Sequence, residues 1–465
     1  MSTTPIDEGE AAIEQLREAL RGDLVRPGDP TYEEARTIYN AMIDKHPRLI
    51  VRCADVGDVI AAVHFAREHD IEVAVRSGGH SAPGFSLVDD GLVIDLSQMT
   101  GIRVDPDAQT VRVEAGCTWG DVDHATHALG LATVGGVIST TGVAGLTLGG
   151  GHGYLTRKYG LTIDNLVGAD VVLADGNLVH ANETEHPDLF WALRGGGGNF
   201  GVVTSFEFRL HPVETVVAGP LFWPISELET TMQWYREWLP QQSEDVYAFY
   251  LVATVPGDPY PFPAEIRGDP VCGLVVCYTG PEADIDAVLK PARDVAEPLF
   301  EHIESMPYPA LQGLFDALYP PGDQWYWKGD FVRDLPDEAI AVHRRFADLP
   351  TARSTMHLYP IDGAVHRVGS DETAWDVRDA TWSMVIVGVD SDPANTDAIT
   401  DWARDYWSAL HPYSAGASYV NFLMDEGPGR VKATYGDNYE RLQQVKARYD
   451  PENLFHVNQN IEPAA

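Results

Sequence analysis

The chain has little lysine and a large excess of acid. Only 6 of its 32 basic residues are lysines, while acidic residues number 70 and the formal net charge is −38. A field this negative repels phosphate backbones and no basic stripe interrupts it, which argues against a nucleic-acid partner. Because the acids are spread along the chain and not gathered in one tail, we expect a halophilic protein. The alternative is an ordinary acidic enzyme.

Cysteine is also scarce. The four cysteines, Cys53, Cys117, Cys272 and Cys277, form no CxxC pair, so the sequence predicts neither a zinc knuckle nor another metal site. Cys272 and Cys277 lie in the apolar run VCGLVVCYTG, which is typical of a buried strand. We expect buried, reduced thiols, as in proteins of a reducing cytoplasm.

Long hydrophobic runs are absent. No stretch of about 18 apolar residues occurs, so no membrane span is predicted. The first residues, MSTTPIDEGEAAIEQLREAL, have neither a basic start nor an apolar core, and the expected location is therefore the cytoplasm. A length of 465 residues favours two or three domains.

Hydrophobic periodicity predicts an α+β fold. Apolar spacing indicates helices over 11–21 and 31–45, and a β-α-β unit over 49–76 whose helix Asp55 can cap. A further helix is predicted to end at Gly130. The stretch NLVGADVVLADGNLVHA is typical of a hairpin that turns at an Asp-Gly pair.

Sequence texture divides the chain into three parts. Residues 1–214 are rich in glycine, whereas residues 215–414 have fewer glycines, more aromatics, and long strands alternating with helices. Residues 415–465 regain motif character. We therefore predict a first domain over 1–214, a second over 215–414, and a tail that returns to the first.

Three glycine regions within the first domain, 76–84, 135–153 and 194–201, are its main functional signal. One such region is usually a turn, but three indicate backbone that approaches an extended, flat, anionic ligand. None is a Walker A loop, and GGGHGY is no Rossmann fingerprint because no strand precedes it. The pattern favours a large dinucleotide held by another fold over a carbohydrate-binding or adhesion module.

Four stretches together resemble the vanillyl-alcohol-oxidase (PCMH) type of FAD-binding flavoprotein, and within it the berberine-bridge-enzyme-like branch. They are RSGGHS, GGVISTTGVAGLTLGGGHGYLTRKYGLTIDNL, PDLFWALRGGGGNFGVVT and YDPENLFHVNQNIEP. The resemblance implies an FAD-binding domain over 1–214 joined by the tail. It also implies a substrate domain built on an antiparallel sheet flanked by helices.

The resemblance gives His80 a role. At this position relatives bond a histidine ring nitrogen covalently to the 8α-methyl of FAD. Some relatives add a second link through a cysteine, but Ile138 stands there and Cys117 comes too early, so one covalent bond is expected. The implied cofactor-binding residues are Arg76, Ser77, Gly78, Gly79, His80, Ser81, Gly135, Thr141, Gly142, Gly145, Gly149, Gly150, Asp164, Gly198, Val203, Asn458 and Asn460.

The resemblance also raises a question about the base. Such enzymes move a hydride from carbon to flavin N5, and alcohol oxidation needs a base for the O–H proton. Many relatives use the last tyrosine of Y-x-N-Y, where this chain has Phe422 in YVNF. Candidate catalytic or substrate-contacting residues are His152, Tyr419, Asn421, Lys328 and Tyr326, with His357 and Tyr359 as one face of a strand.

The expected function is oxidation of a CH–OH group in a small or medium alcohol or sugar. The reduced flavin is reoxidised by O2 or another acceptor, and Thr141 stands where relatives control oxygen access. One alternative is a CH–NH oxidase acting on an alkaloid-like amine, which needs no strong base. Another is a flavin-binding protein without turnover, to which the missing tyrosine would point.

Overall fold

The strands form two groups that divide near residue 212. The computed structural model describes residues 5–258, 260 and 262–465. In the first group, strands β1 to β11 are Asp23–Val25, Leu49–Arg52, Val73–Arg76, Leu92–Asp95, Ile102–Asp105, Thr110–Glu114, Leu131–Ala132, Leu166–Val172, Leu178–Ala181, Val202–Arg209 and His211–Pro212. In the second group, β12 to β19 are Thr215–Pro224, Val246–Thr254, Pro270–Tyr278, Phe300–Glu301, Glu304–Pro307, Gln324–Val332, Thr355–Pro360 and Trp382–Asp390.

Helices accompany both groups of strands, so the predicted α+β class is confirmed. Within the described ranges, no helix is long and apolar enough to cross a membrane. The α-helices α1 to α14 are Pro5–Ala19, Tyr32–Arg36, Val56–Glu68, Trp119–His127, Val143–Leu148, Thr156–Tyr159, Pro187–Leu193, Leu228–Trp238, Ile285–Val295, Tyr308–Gln312, Asp337–Arg345, Thr396–Leu410, Pro428–Tyr435 and Tyr439–Tyr449.

The first half of the chain builds a four-stranded sheet, β1-β2-β4-β3, and a five-stranded sheet, β5-β6-β10-β8-β9. Strands β2 and β3 both run parallel to β4, and α3 connects them as the predicted β-α-β unit. Asp55 caps α3 by accepting hydrogen bonds from the backbone N–H groups of Gly57 and Asp58. The predicted hairpin is β8–β9, and Gly176 in its turn has φ +82°.

The second half builds an eight-stranded antiparallel sheet that runs β15-β12-β14-β13-β18-β19-β17, with β16 beside β12. One face packs on α8, α9, α11 and α12 through a hydrophobic core. The other face packs on the first half of the chain, where Tyr154 lies among Tyr247 and Phe249. The expected antiparallel sheet flanked by helices is therefore confirmed.

The helix predicted over 31–45 is mostly wrong. Only Tyr32–Arg36 is helical, because the next residues join the two halves of the molecule. The Asn40 side chain donates to the backbone oxygens of Ala82 (2.8 Å) and Trp325 (3.0 Å) and accepts from the Trp325 N–H. These long-range hydrogen bonds replace the ones that a continued helix would make.

Arg157 in α6 ties the two halves together. Its guanidinium is buried and pairs with Asp362, with Nε 2.6 Å from Oδ1 and Nη2 3.2 Å from Oδ2. The remaining N–H groups donate to backbone oxygens at the end of α8 and the start of β13, including those of Leu239, Ser243 and Val246. A guanidinium can be buried at this place because every donor has an acceptor.

Replacing Arg157 with methionine should destabilise the protein severely. The Asp362 carboxylate would remain buried without its partner, which costs about 3–5 kcal/mol. The free energy of unfolding from urea titration measures the loss. Arg17→Met is the matched control, because that side chain is 45% exposed and lies 4.0 Å from Glu14, a kind of pair that contributes at most about 1 kcal/mol. Equal losses in the two variants would contradict the assignment.

Candidate functional site

A cavity of about 380 Å³ lies between the glycine regions and the large sheet. Two of the glycine regions touch through their backbones: a Cβ added to Gly78 would lie 2.5 Å from the Gly142 Cα, a distance no real structure tolerates. A Cβ at Gly145 or Gly198, by contrast, would meet no protein atom within 4 Å. The glycines therefore let two loops cross closely and keep the adjoining space open.

Most of the residues predicted from the sequence line this cavity. They come from residues 77–203, from strand β18 and from the tail, which the fold brings together. The predicted residues on its wall are Ser77, Gly78, Gly79, His80, Ser81, Thr141, Gly142, Gly145, Gly149, His152, Gly198, Val203, Tyr419, Asn421 and Asn458, together with His357 and Tyr359.

His80 lies on the wall with its ring stacked on Tyr39, the ring centroids being 4.0 Å apart. Its Nε2 is 3.4 Å from the Thr140 Oγ1. Burial lowers the pKa of His80 to about 4, because no acid stands close enough to stabilise the imidazolium. The ring is therefore neutral at physiological pH and has a free nitrogen lone pair.

His152 sits among aromatic rings. Its ring centroid lies 5.3 Å from that of Tyr359, 4.8 Å from Tyr419 and 5.6 Å from Phe422. Neither ring nitrogen has a hydrogen-bond partner among the described residues, and burial lowers the pKa of His152 to about 3. This histidine is held neutral.

Tyr419 and Asn421 form a hydrogen-bonded pair over α5. The Asn421 Nδ2 donates to the Tyr419 hydroxyl (2.7 Å) and to the Gly145 carbonyl (3.1 Å). A Cβ on Gly149 would lie 2.4 Å from the Asn421 Oδ1, so Gly149 leaves the room that this amide needs. Burial raises the pKa of Tyr419, which keeps its hydroxyl protonated.

Five of the predicted cofactor-binding residues do not line the cavity, and four of them have a structural role elsewhere. Arg76 donates to the Ala35 carbonyl, and Asp164 pairs with both terminal nitrogens of Arg378 at 2.8 Å. A Cβ on Gly135 would meet the Trp119 ring and one on Gly150 the Trp375 ring. The Asn460 Oδ1 is buried and unpaired among the described residues.

Two predicted catalytic residues, Tyr326 and Lys328, also lie away from the cavity. Side chains on a strand alternate between its faces, and on β17 these two face the helices. The Lys328 Nζ lies 2.5 Å from Glu426 and 4.0 Å from the centroid of the Trp407 ring, while the Tyr326 hydroxyl accepts from the Arg404 Nε. The expectation that they act in the site is therefore corrected.

The other face of the same strand supplies residues that sequence reasoning missed. Trp325 and Trp327 line the cavity, as does Tyr39 in the segment mispredicted as helix. The alternation along QWYWK was the available signal for the two tryptophans, but which face was inward could not be read from it. Tyr39 carried no local signal.

His357 and Tyr359 share one face of β18 with Thr355, and the three side chains form a hydrogen-bonded chain. The Tyr359 hydroxyl lies 2.5 Å from the His357 Nδ1, and the His357 Nε2 lies 3.0 Å from the Thr355 Oγ1. The Thr355 hydroxyl itself donates to the Val252 carbonyl (2.9 Å). It therefore accepts from the Nε2–H, which leaves the His357 Nδ1 to accept from Tyr359.

The tail closes one wall of the cavity. The buried Lys446 Nζ donates to the carbonyls of Asn199 (2.7 Å) and Phe455 (3.0 Å) and pairs with Asp450 at 2.6 Å. The backbone N–H of Ile461 donates to the Asn199 Oδ1. These bonds fix the wall segment 455–459 against the third glycine region.

Comparison with known proteins identifies the family of this chain. A family model described as an FAD binding domain matches residues 47–182, and one described as berberine and berberine like matches residues 418–462. An uncharacterized FAD-linked oxidoreductase of Bacillus subtilis, YgaK, is 33% identical over 96% of this chain and 97% of its own. The chain belongs to the berberine-bridge-enzyme-like family of FAD-linked oxidoreductases.

Characterised members of the family are also similar. (R)-6-hydroxynicotine oxidase of Paenarthrobacter nicotinovorans is 30% identical over 96% of this chain and 97% of its own. The crystal structure of 6-hydroxy-D-nicotine oxidase from Arthrobacter nicotinovorans superposes with a TM-score of 0.86 at 27% identity, covering 96% of this chain and 98% of that one. Physcomitrella patens BBE-like 1 gives a TM-score of 0.87 at 25% identity, with 97% and 99% covered.

The cavity of this berberine-bridge-enzyme-like protein suits FAD. Its floor is open at Gly145 and Gly198, the neutral His80 ring stands on its wall, and the Asn458 Oδ1 at its rim is buried and unpaired among the described residues. A flat, extended ligand with hydrogen-bond donors would use each of these features. The residues present therefore fit the cofactor that the family model implies.

Replacing Gly78 with alanine should abolish flavin retention. The new Cβ would overlap the Gly142 backbone, which belongs to a crossing loop and cannot rotate away, and we expect at least about 1–3 kcal/mol of destabilisation. Flavin absorbance per protein and the melting temperature measure the effect. Gly257→Ala is the control, because a Cβ there meets nothing within 4 Å. A Gly78→Ala protein with full flavin content would refute the crossing-loop interpretation.

Proposed function

We propose that this family member is an FAD-dependent oxidoreductase that oxidises a CH–OH group and carries its flavin on a single covalent bond to His80. The observation that carries the proposal is the position of His80. It stands on the cavity wall beside the contact between two glycine regions, with a neutral ring and its Nε2 bonded only weakly to Thr140. A neutral imidazole is the nucleophilic form that bonding to the flavin 8α carbon requires.

A second covalent link is not part of the proposal. Ile138, where some relatives have a cysteine, lines the cavity with a hydrocarbon side chain. Cys117 is buried and free, and burial raises the pKa of its thiol to about 12. Its sulfur lies near the carbonyl of Gly101 and does not line the cavity. Neither residue offers a thiolate to the cofactor.

The walls favour a CH–OH donor over an amine. Among the described residues, those lining the cavity include no Asp, Glu, Lys or Arg. A protonated amine would enter without a counter-charge, and burying an unpaired ammonium costs several kcal/mol. An alcohol carries no such penalty.

The protein's own residues bind and orient the reactants. Bound FAD supplies a hydride acceptor, flavin N5, and the electrons pass on to O2 or another acceptor. Tyr419 and Asn421 brace the wall above α5, and His152 presents a neutral ring beside them. Since Phe422 cannot take a proton, the base must be another residue of the wall.

Acid precipitation tests the covalent bond. We expect the flavin to stay with the acid pellet of the wild type and to be lost from the pellet of His80→Ala. His152→Ala is the matched control, since it removes another imidazole of the cavity wall and should keep the flavin in the pellet. Flavin in the wild-type supernatant would overturn the covalent assignment.

Anaerobic reduction tests turnover and donor type. Benzyl alcohol and benzylamine present the same ring with an uncharged or a charged head at neutral pH, and we expect the alcohol to bleach the flavin at least about tenfold faster at equal concentration. Faster bleaching by the amine would favour the CH–NH alternative. A flavin that no alcohol, sugar or amine bleaches would indicate a binding protein without turnover.

A further inference from the structure

We propose that the cavity selects an uncharged alcohol carried on an aromatic ring, and that the alcohol proton is received by Tyr359, backed by His357 and Thr355. This inference rests on the proposed function and names its substrate class and its base. Three features of the wall support it: the absence of charged residues, the aromatic rings, and the hydrogen bonds that several of its polar side chains already make.

The absence of charge is specific to the cavity. The chain carries 70 acidic residues, yet no described residue on the cavity wall is acidic or basic. Lys328, on a strand that contributes to the wall, is turned away and neutralised by Glu426. A charged substrate would therefore lose its hydration without gaining a partner.

Aromatic rings surround Phe422. The centroid of its ring lies 6.1 Å from that of Trp327, 6.1 Å from Tyr359 and 5.6 Å from His152, and all four residues line the cavity. Centroid separations of 4.5–7 Å are those at which aromatic rings attract one another. A flat aromatic substrate would extend this cluster.

Several polar side chains on the wall are engaged with the protein, whereas the indole N–H groups of Trp325 and Trp327 and both His152 ring nitrogens have no partner among the described residues. Asn421 donates to the Gly145 carbonyl, Asn458 to the Gly198 carbonyl, and Gln459 to the Met424 carbonyl. The Ser77 hydroxyl donates to the Ala115 carbonyl. A sugar buries several hydroxyls at once, each of which needs a partner, and the engaged groups are not available to it.

Tyr359 offers the place where one hydroxyl can bind. It donates its own proton to the His357 Nδ1, so its oxygen keeps lone pairs for a substrate O–H. When the C–H bond breaks, its electron pair leaves as hydride for the bound cofactor. The O–H proton moves to the Tyr359 oxygen and the Tyr359 proton to His357, leaving a carbonyl product and an imidazolium. The hydride carries one negative charge away from the substrate and the imidazolium gains one positive charge, so the total charge is unchanged.

Among the residues that line the cavity, no Asp, Glu, Lys or Arg faces this hydrogen-bonded chain. The titratable groups that face it are His152, whose ring centroid lies 5.3 Å from that of Tyr359, and Tyr319. His357 faces Phe249 on β13, with ring centroids 5.2 Å apart, and has Thr355 and Tyr359 on its own strand. On β19 the residue paired with it is Val385. Burial lowers the pKa of His357 to about 3, so at ordinary pH the ring is neutral before the reaction and its Nδ1 keeps a lone pair. A tyrosinate base would instead become active only as the pH rises.

Binding to the flavin-loaded enzyme tests the substrate class. Benzyl alcohol and glucose are the probes, and the shift of the flavin spectrum gives each Kd. We expect benzyl alcohol to bind at least about tenfold more tightly than glucose, a difference of about 1.4 kcal/mol. Equal or tighter binding of glucose, or no binding of benzyl alcohol to a loaded enzyme, would overturn the inference while leaving the covalent flavin untouched.

Tyr359→Phe tests the base. It keeps the ring, so we expect the Kd of benzyl alcohol to rise less than about tenfold while anaerobic flavin reduction slows about 10²–10⁴-fold. The wild-type reduction rate should be level from about pH 5 to about pH 9. Tyr247→Phe is the control, since that buried hydroxyl has no hydrogen-bond partner among the described residues and does not line the cavity.

A second variant guards against misfolding. His357→Gln keeps an acceptor for the Tyr359 hydroxyl but cannot hold a proton, and should slow reduction to a similar degree at normal flavin content. Reduction within about threefold of wild type in either loaded variant, or a wild-type rate that climbs steadily with pH, would overturn the assignment. A wild-type enzyme that holds no flavin would instead refute the proposed function.

Discussion

The Arg157 guanidinium is the interaction on which the architecture depends. It lies in α6, just after the second glycine region, and its N–H groups donate to Asp362 and to carbonyls around the start of β13. The first half of the chain and the large sheet are thereby held together. The cavity lies between them, with His80 and Tyr359 both on its wall. A buried charge pair that does not line the cavity thus helps to hold its two sides in place.

The parts of the site that depend on a local sequence motif could be predicted from the sequence. The glycine regions, His80 and the Tyr419–Asn421 pair could be predicted because close backbone crossings and a loop histidine leave a pattern within a few residues. Prediction failed where the outcome depends on which face of a strand is inward: Lys328 and Tyr326 were preferred over Trp325 and Trp327. Asp164 was misjudged for a related reason, since its partner Arg378 lies more than two hundred residues away. The sequence predicts only that Tyr359 and His357 share a face of their strand. The direction of the hydrogen bonds in the Tyr359–His357–Thr355 chain follows from the Val252 carbonyl on another strand, which accepts from Thr355.

The contrast between exterior and cavity is a constraint on what this protein can bind. For the substrate, as distinct from the anionic cofactor, a chain of net charge −38 disfavours the approach of anions, and a wall without carboxylates gives a cation nothing to pair with. Neutral molecules escape both penalties. Phe422, where many relatives have a tyrosine, fits the same pattern, because it adds an apolar ring to the wall and, in the proposed mechanism, leaves proton transfer to Tyr359 on β18.

The wall contributed by the tail has a consequence for the order of assembly. Residues 455–459 contribute one wall of a cavity whose first wall residue is Tyr39, and Lys446 anchors them to Asn199. The cavity therefore has all its walls only after residues 455–459 have emerged from the ribosome and folded back onto the first half of the chain. A nascent chain that ends before them presents His80 in a cleft that lacks one wall.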